Sequence, residues 1–403
     1  MLNKNNFFRD YYFEKKKLKK NIEKAKEAFK HLKLDIDNFQ IPLIESFDKS
    51  YENNFSNEII KKFSKYKNII IIGMGGSILG AKSIYSFLQK KTKKKLFFFD
   101  DLNTNQHQLF KESFSLKNSC FIIISKSGDT IETISNLCLI FPRTLLVNRL
   151  IFITEIKDSA IHSIADKFNA EIIEHKDFIG GRYSVMSEVG MFPAALMGFN
   201  IKRFKNLRKL IVNKYFISSL IQNVASIFTL NRQNVKNSII LNYDTKLNDL
   251  GLWYQQLSAE SLGKKGRGIM PVLSLAPRDH HSVLQLYLDG PRDKFFTFFS
   301  TSNQQDKWKI PGKIIPDNMN FLKDKKLSSV VNAQCKAVKN IFRKKNIPFR
   351  YFIFKKSNEE ELGSALTFFV LETILLARLM KVNPFDQPSV EEIKTETKRI
   401  LSK

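Results

Sequence analysis

The chain has 403 residues, 43% of them hydrophobic, enough for two packed cores rather than one. Its formal net charge of +27 brings lysine-rich stretches at 15–20 and 90–95 but no aromatic-interleaved basic motif, so it reads as a solvated surface and not a nucleic-acid module. No apolar run approaches the roughly 20 residues of a membrane span, the first residues lack the apolar stretch of a secretory signal, and Cys120, Cys138 and Cys335 have neither metal nor pairing spacing; a cytoplasmic protein is expected.

Residues 14–33 are charged with a helical period and predict an N-terminal helix. Short apolar runs follow at Asn68–Ile72, Leu96–Asp100, Cys120–Ser125, Leu145–Thr154 and Ala170–Glu174. They are continuous rather than alternating, as strands buried on both faces are. Helical stretches such as Ala81–Leu88 and Glu132–Leu139 lie between them, the pattern of an open parallel sheet. The theme repeats with strands at Ser238–Tyr243, Gly268–Ala276, Phe295–Ser300 and Phe349–Phe354 and helices at Gly251–Leu262 and Glu359–Met380. The expected fold is α/β, two αβα sandwich domains with parallel-rich sheets. An N-terminal helical segment (1–44) packs on the second domain. The first domain covers 45–200 and the second 201–403, with the break near Gly198–Lys205 and a site between them at the strands' carboxyl ends.

The first strand runs into Gly73-Met74-Gly75-Gly76-Ser77-Ile78-Leu79-Gly80, whose backbone N–H groups can approach an anion. A dinucleotide fingerprint needs a different glycine spacing and Gly or Ala where Ile78 stands. The third strand runs into Ser125-Lys126-Ser127-Gly128-Asp129-Thr130-Ile131-Glu132-Thr133. An N-cap needs one hydroxyl; four hydroxyls and a lysine before a helix suit a phosphate monoester. Gly180-Gly181-Arg182-Tyr183-Ser184 offers a guanidinium fork to an oxyanion, although such a turn is often only a turn. Ala259-Glu260-Ser261-Leu262-Gly263-Lys264 places a carboxylate at an apolar helix end, where most glutamates are surface residues. Pro277-Arg278-Asp279-His280-His281-Ser282 holds adjacent histidines, which do not point the same way, and no HxH or HExxH spacing occurs; no metal is expected. In Asn383–Lys394, Pro388 suits the first turn of a helix, and Gln387 and Lys394, seven apart, can share a face.

Taken in order, these six motifs, from Gly73 to Lys394, closely resemble the glucose-6-phosphate isomerase family. The resemblance implies two sugar-isomerase domains, a homodimer with a shared active site, and no cofactor. It implies Glu260 as the base, His281 and Lys394 as the groups that open the sugar ring, and Arg182 as the group that steadies the enediolate. Gln387 matches an active-site glutamine. Ser125, Lys126, Ser127, Thr130 and Thr133 match the phosphate loop, and Gly76 and Ser77 match substrate contacts. The implied reaction interconverts glucose 6-phosphate and fructose 6-phosphate through ring opening and a cis-enediol(ate), a step of glycolysis and gluconeogenesis. Moving a proton between C2 and C1 needs one carboxylate reaching both carbons and an electrophile for the oxygen charge. Phosphomannose activity is an alternative within the class. A sugar-phosphate sensor would have no use for Glu260, His281 and Lys394 together, and an RNA-binding protein would show salt-sensitive RNA affinity.

Overall fold

The computed structural model describes Phe8 and residues 11–140, 147–302 and 306–403. Five parallel strands form the first sheet: β1 (Asn68–Gly73), β2 (Lys95–Phe99), β3 (Ser119–Ile124), β4 (Leu150–Thr154) and β5 (Glu171–Glu174), in the order β2-β1-β3-β4-β5. Four parallel strands form the second: β6 (Asn237–Asn242), β7 (Met270–Leu275), β8 (Lys294–Thr301) and β9 (Phe349–Phe354), in the order β7-β6-β8-β9. The expected α/β class with two parallel sheets is what the chain adopts. β4 starts later than expected: a 3-10 turn covers Val147–Arg149, and residues 145 and 146 of the predicted run lie outside the described residues.

Parallel strands need crossovers, and helices supply them. In chain order they include α1 (Lys15–Asp37), α2 (Asn57–Ser64), α3 (Gly76–Leu88), α4 (Thr104–Ser113), α5 (Ile131–Ile140), α6 (Ala160–Lys167), α7 (Glu188–Leu196), α8 (Lys214–Arg232), α9 (Asn248–Leu262), α10 (Leu327–Lys344), α11 (Glu359–Met380) and α12 (Ser389–Leu401). The period of two in β1 divides its isoleucines between two cores. Ile70 and Ile72 face α4 and α5, whereas Ile69 and Ile71 join a larger core that reaches β6, β8, α9 and α11 of the other half. One core therefore lies under both sheets. α3 and α9 pack on each other across it, and α1 packs on α8 and α11.

α11 is long and apolar enough to cross a membrane, but most of it is buried inside the protein. At its centre Glu372 is fully buried and pairs with the equally buried Arg350 of β9. Arg350 spends its remaining donors on Thr297 Oγ1 of β8 (2.9 Å), Asn223 Oδ1 of α8 (3.0 Å) and Tyr254 Oη of α9 (3.0 Å). Tyr254 in turn donates to Glu372 at 2.9 Å. Every charge here is met by a partner, as burial requires, and the network ties the helix that carries Glu260 to the second sheet.

Candidate active site

The loop after β1 and the Gly180–Tyr183 segment meet backbone to backbone. A Cβ on Gly76 would lie 2.2 Å from the carbonyl carbon of Gly181, so no other residue fits there. This contact sets the 3-10 turn Gly181–Met186 on the N-terminal end of α3 and aims Arg182 inward.

Arg182 is only 2% exposed, and its five N–H donors meet five acceptors. Nε donates to Ser261 Oγ at 2.9 Å. Nη1 donates to Glu260 Oε2 at 3.3 Å and to Gln387 Oε1 at 2.6 Å. Nη2 donates to the carbonyls of Pro384 at 2.5 Å and Asp386 at 3.0 Å. Lys264 Nζ ion-pairs with Asp386 at 2.9 Å, holding the same segment from the end of α9. Glu260, one turn from the end of α9, keeps 30% of its side chain exposed. Its other oxygen accepts from Gln256 Nε2 at 2.9 Å, and Gln256 lies so close to Gly75 that a Cβ there would come within 2.8 Å of it. The structure thus brings Gly76, Arg182, Glu260 and Gln387 together, from four separate motifs. Gln256 was legible in principle from its i,i+4 spacing to Glu260.

The Ser125–Thr130 loop lies at the carboxyl end of β3. Ser125 is buried and works inside the loop: its Oγ lies 2.8 Å from Thr130 Oγ1 and accepts from the Gly128 amide at 3.2 Å. Gly128 has φ +78°, and a Cβ there would meet Ser159 Oγ at 2.2 Å. Asp129 accepts from the Ala160 amide at 2.9 Å, fastening the loop to α6. Ser127 and Thr130 remain partly exposed. Lys126 is turned aside, donating to the Asp177 carbonyl at 2.6 Å. Thr133 is fully buried, and its hydroxyl has no hydrogen-bond partner among the described residues. Ser77 is half-buried at the start of α3.

His281 and Lys394 are not brought to Arg182. His281 is exposed in the short turn Arg278–His281. Its neighbour His280 is half-buried, with Nε2 2.8 Å from Tyr243 Oη. Burial, then the adjacent His281, hold His280 below the usual histidine range, against the opposing charge of Asp279. Lys394 lies on α12, no residue of which is buried, and its only ion pair among the described residues is with Glu391 at 2.7 Å. No group of three or more His, Cys, Asp or Glu suited to a metal occurs among the described residues.

The family model of phosphoglucose isomerase matches residues 54–269, which hold Gly76, the Ser125–Thr133 loop, Arg182 and Glu260. The chain belongs to the phosphoglucose isomerase family. Among curated relatives, glucose-6-phosphate isomerase of Methanocaldococcus jannaschii is 30% identical, the match covering 92% of this chain and 94% of that one. Glucose-6-phosphate isomerase of Campylobacter jejuni is 32% identical over 83% of this chain and 86% of that one. A solved structure of a hypothetical protein of Thermus thermophilus matches the fold with a TM-score of 0.83 at 21% identity, covering 96% of each chain. A glucose-6-phosphate isomerase structure from Chlamydia trachomatis matches with a TM-score of 0.70 at 20% identity, over 86% of this chain and 72% of that one. Membership of the phosphoglucose isomerase family makes the chain an isomerase, and both relatives extend past residue 269, where the family model stops.

Proposed function

We propose that this phosphoglucose isomerase family member interconverts glucose 6-phosphate and fructose 6-phosphate with Glu260 as the proton-transfer base, Arg182 as the electrophile and the Ser125–Thr130 loop as the phosphate seat. The observation that carries the reading is the meeting of a partly open carboxylate with a buried guanidinium at 3.3 Å. A carboxylate so placed can take a proton from one carbon and return it to the next, while the positive charge beside it stabilises the enediolate oxygen. Because all five Arg182 donors are occupied, a substrate oxygen reaches the guanidinium by displacing an acceptor. Gln387 and Glu260, which share Nη1, are the two side chains open enough to yield. The decisive assay supplies fructose 6-phosphate to purified protein and detects glucose 6-phosphate with its dehydrogenase; no turnover would sink the assignment.

The phosphate seat makes its own claim. Ser127→Ala and Thr130→Ala should each raise KM for fructose 6-phosphate, since a hydrogen bond to a charged group is worth roughly 1.5–3 kcal/mol. Wild-type KM in both variants would remove the loop from the site.

Ring opening is assigned to His281 and Lys394. A histidine titrates near neutrality and suits proton exchange between ring oxygen and anomeric hydroxyl. Replacing either by alanine should impair cyclic fructose 6-phosphate far more than a shorter aldose phosphate that cannot close a stable ring. Equal losses of kcat/KM on both would refute that division.

The exposure of His281 supports a homodimer in which each site borrows this side chain from the second copy, and the free state of Cys120, Cys138 and Cys335 suits a reducing cytoplasm. Apolar side chains exposed nearby in sequence, Met270 at 62% and Leu286 at 51%, suit a covered surface. Mixing inactive Glu260→Gln and His281→Ala proteins should then restore about a quarter of wild-type activity, since half the dimers carry one intact site of two. Persistent inactivity of the re-equilibrated mixture would count against sharing. Residues 45–200 and 201–403, each built on one sheet, are read as the two sugar-isomerase domains, with 1–44 as an arm on the second.

A further inference from the structure

A cavity of about 780 Å³ opens between α1, the end of α8, the turn that follows α9 and the end of α11. It shares no lining residue with the Arg182–Glu260 site. Its walls carry Lys20 and Lys24 from α1, Arg232 from α8, and Lys236, Arg267 and Lys381. Lys17 also borders it but is ion-paired with Glu14 at 2.7 Å. No Asp or Glu lines the cavity. Lys20, Arg232, Lys236 and Lys381 have no ion pair among the described residues.

Two ordinary explanations fall short. Cations gather at helix C-termini, and both α8 and α11 end here. That accounts for Arg267, whose Nη1 donates to the Met380 carbonyl of α11. It does not account for Lys20, in the first two turns of α1, or for Lys236, beyond the end of α8; neither side chain bonds a carbonyl among the described residues. The chain's lysine bias falls short too. Lys and Arg make up 66 of 403 residues, about one in six, but seven of the 17 around this cavity. The walls are also fixed relative to each other: buried Asn21 of α1 donates through Nδ2 to Thr229 Oγ1 of α8 at 2.9 Å. Like charges held together by a rigid frame repel, and an anion between them relieves the repulsion.

We propose that this cavity is a second, non-catalytic binding site for a small anion carrying two or more phosphate groups. Its volume suits one small molecule and not an extended nucleic acid. Several cations on facing walls match charges spaced along a phosphate chain better than a single monoester. Arg232 and Arg267 supply planar forks, and the lysines supply point charges.

Calorimetric titration of the full chain with inorganic tripolyphosphate at near-physiological ionic strength tests this. The wild type should show a saturable component that Lys20→Ala/Lys236→Ala weakens by at least roughly tenfold. Lys90→Ala/Lys91→Ala removes the same charge from a different lysine-lined cavity and should leave that component within about twofold. All four side chains are exposed, so the fold should survive, and thermal melting checks that it does. Any binding at the Ser125–Thr130 loop appears equally in all three proteins. Equal weakening by both pairs would reduce the effect to diffuse net charge and overturn the site. Absence of the saturable component would overturn it as well.

Discussion

Glu260→Gln should lower kcat for fructose 6-phosphate by at least ~10²–10⁴ while a substrate analogue still binds. The amide matches the carboxylate in shape but cannot accept a proton from carbon. Its carbonyl oxygen can keep the contact with Arg182 Nη1. Its NH₂ would then face Gln256 Nε2, the present donor to Glu260. Gln256 has a remedy, because its own Oε1 is buried without a partner among the described residues. Turning that amide over restores a donor–acceptor pair, so the pocket should hold its form and the loss should fall on proton transfer. Near-normal kcat in the variant would remove Glu260 from the role of base.

The largest stability effect is expected at the buried Arg350–Glu372 pair. Glu372→Ala leaves a guanidinium with no anion in a fully buried place, and breaking one side of such a pair costs about 3–5 kcal/mol. It also leaves Tyr254 without its acceptor, although burial and Glu372 now hold that phenol far above its usual titration range. Denaturant midpoints would read the loss, and a change below about 1 kcal/mol would mean that the network is slack. Should the single variant fail to fold, Arg350→Met/Glu372→Leu gives a second reading. Removing both charges together should recover most of the stability, because the desolvation penalty disappears with the pair.

The nine strands were legible because strands covered on both faces carry continuous apolar runs, which is a local property, although the edge strands β2, β5 and β7 are partly exposed. Ile69–Ile72 and Cys120–Ile124 show it plainly. α8 was not, because its buried face includes Ser219, Asn223, Ser226 and Thr229, polar residues that break the apolar stripe; Asn223 and Thr229 bond both to the helix's own backbone and to partners elsewhere in the chain. Asn223 is there for Arg350, and Thr229 for Asn21. At the site, side-chain identity was readable and geometry was not. Arg182, Glu260 and Gln387 stand out as residue types in motifs. The carbonyls of Pro384 and Asp386 carry no residue signature, and neither does the packing of Gly76 on Gly181. His281 and Lys394 lie on exposed segments, where no local pattern of burial separates a site residue from an ordinary surface one.

The core shared beneath the two sheets bears on the order in which the chain can fold. Synthesis runs from the N-terminus, so β1–β5 are complete before residues 248–380 exist. Until α9 and α11 emerge, α3 and α7 cover the Ile69 and Ile71 face of the first sheet, but the side of α3 that packs on α9 has no covering layer. An early half left in that condition presents apolar surface to its neighbours on the ribosome, where incomplete domains aggregate. Commitment to the native state therefore waits for contacts between residues more than 150 apart, which makes residues 248–380 the part that ends the hazard.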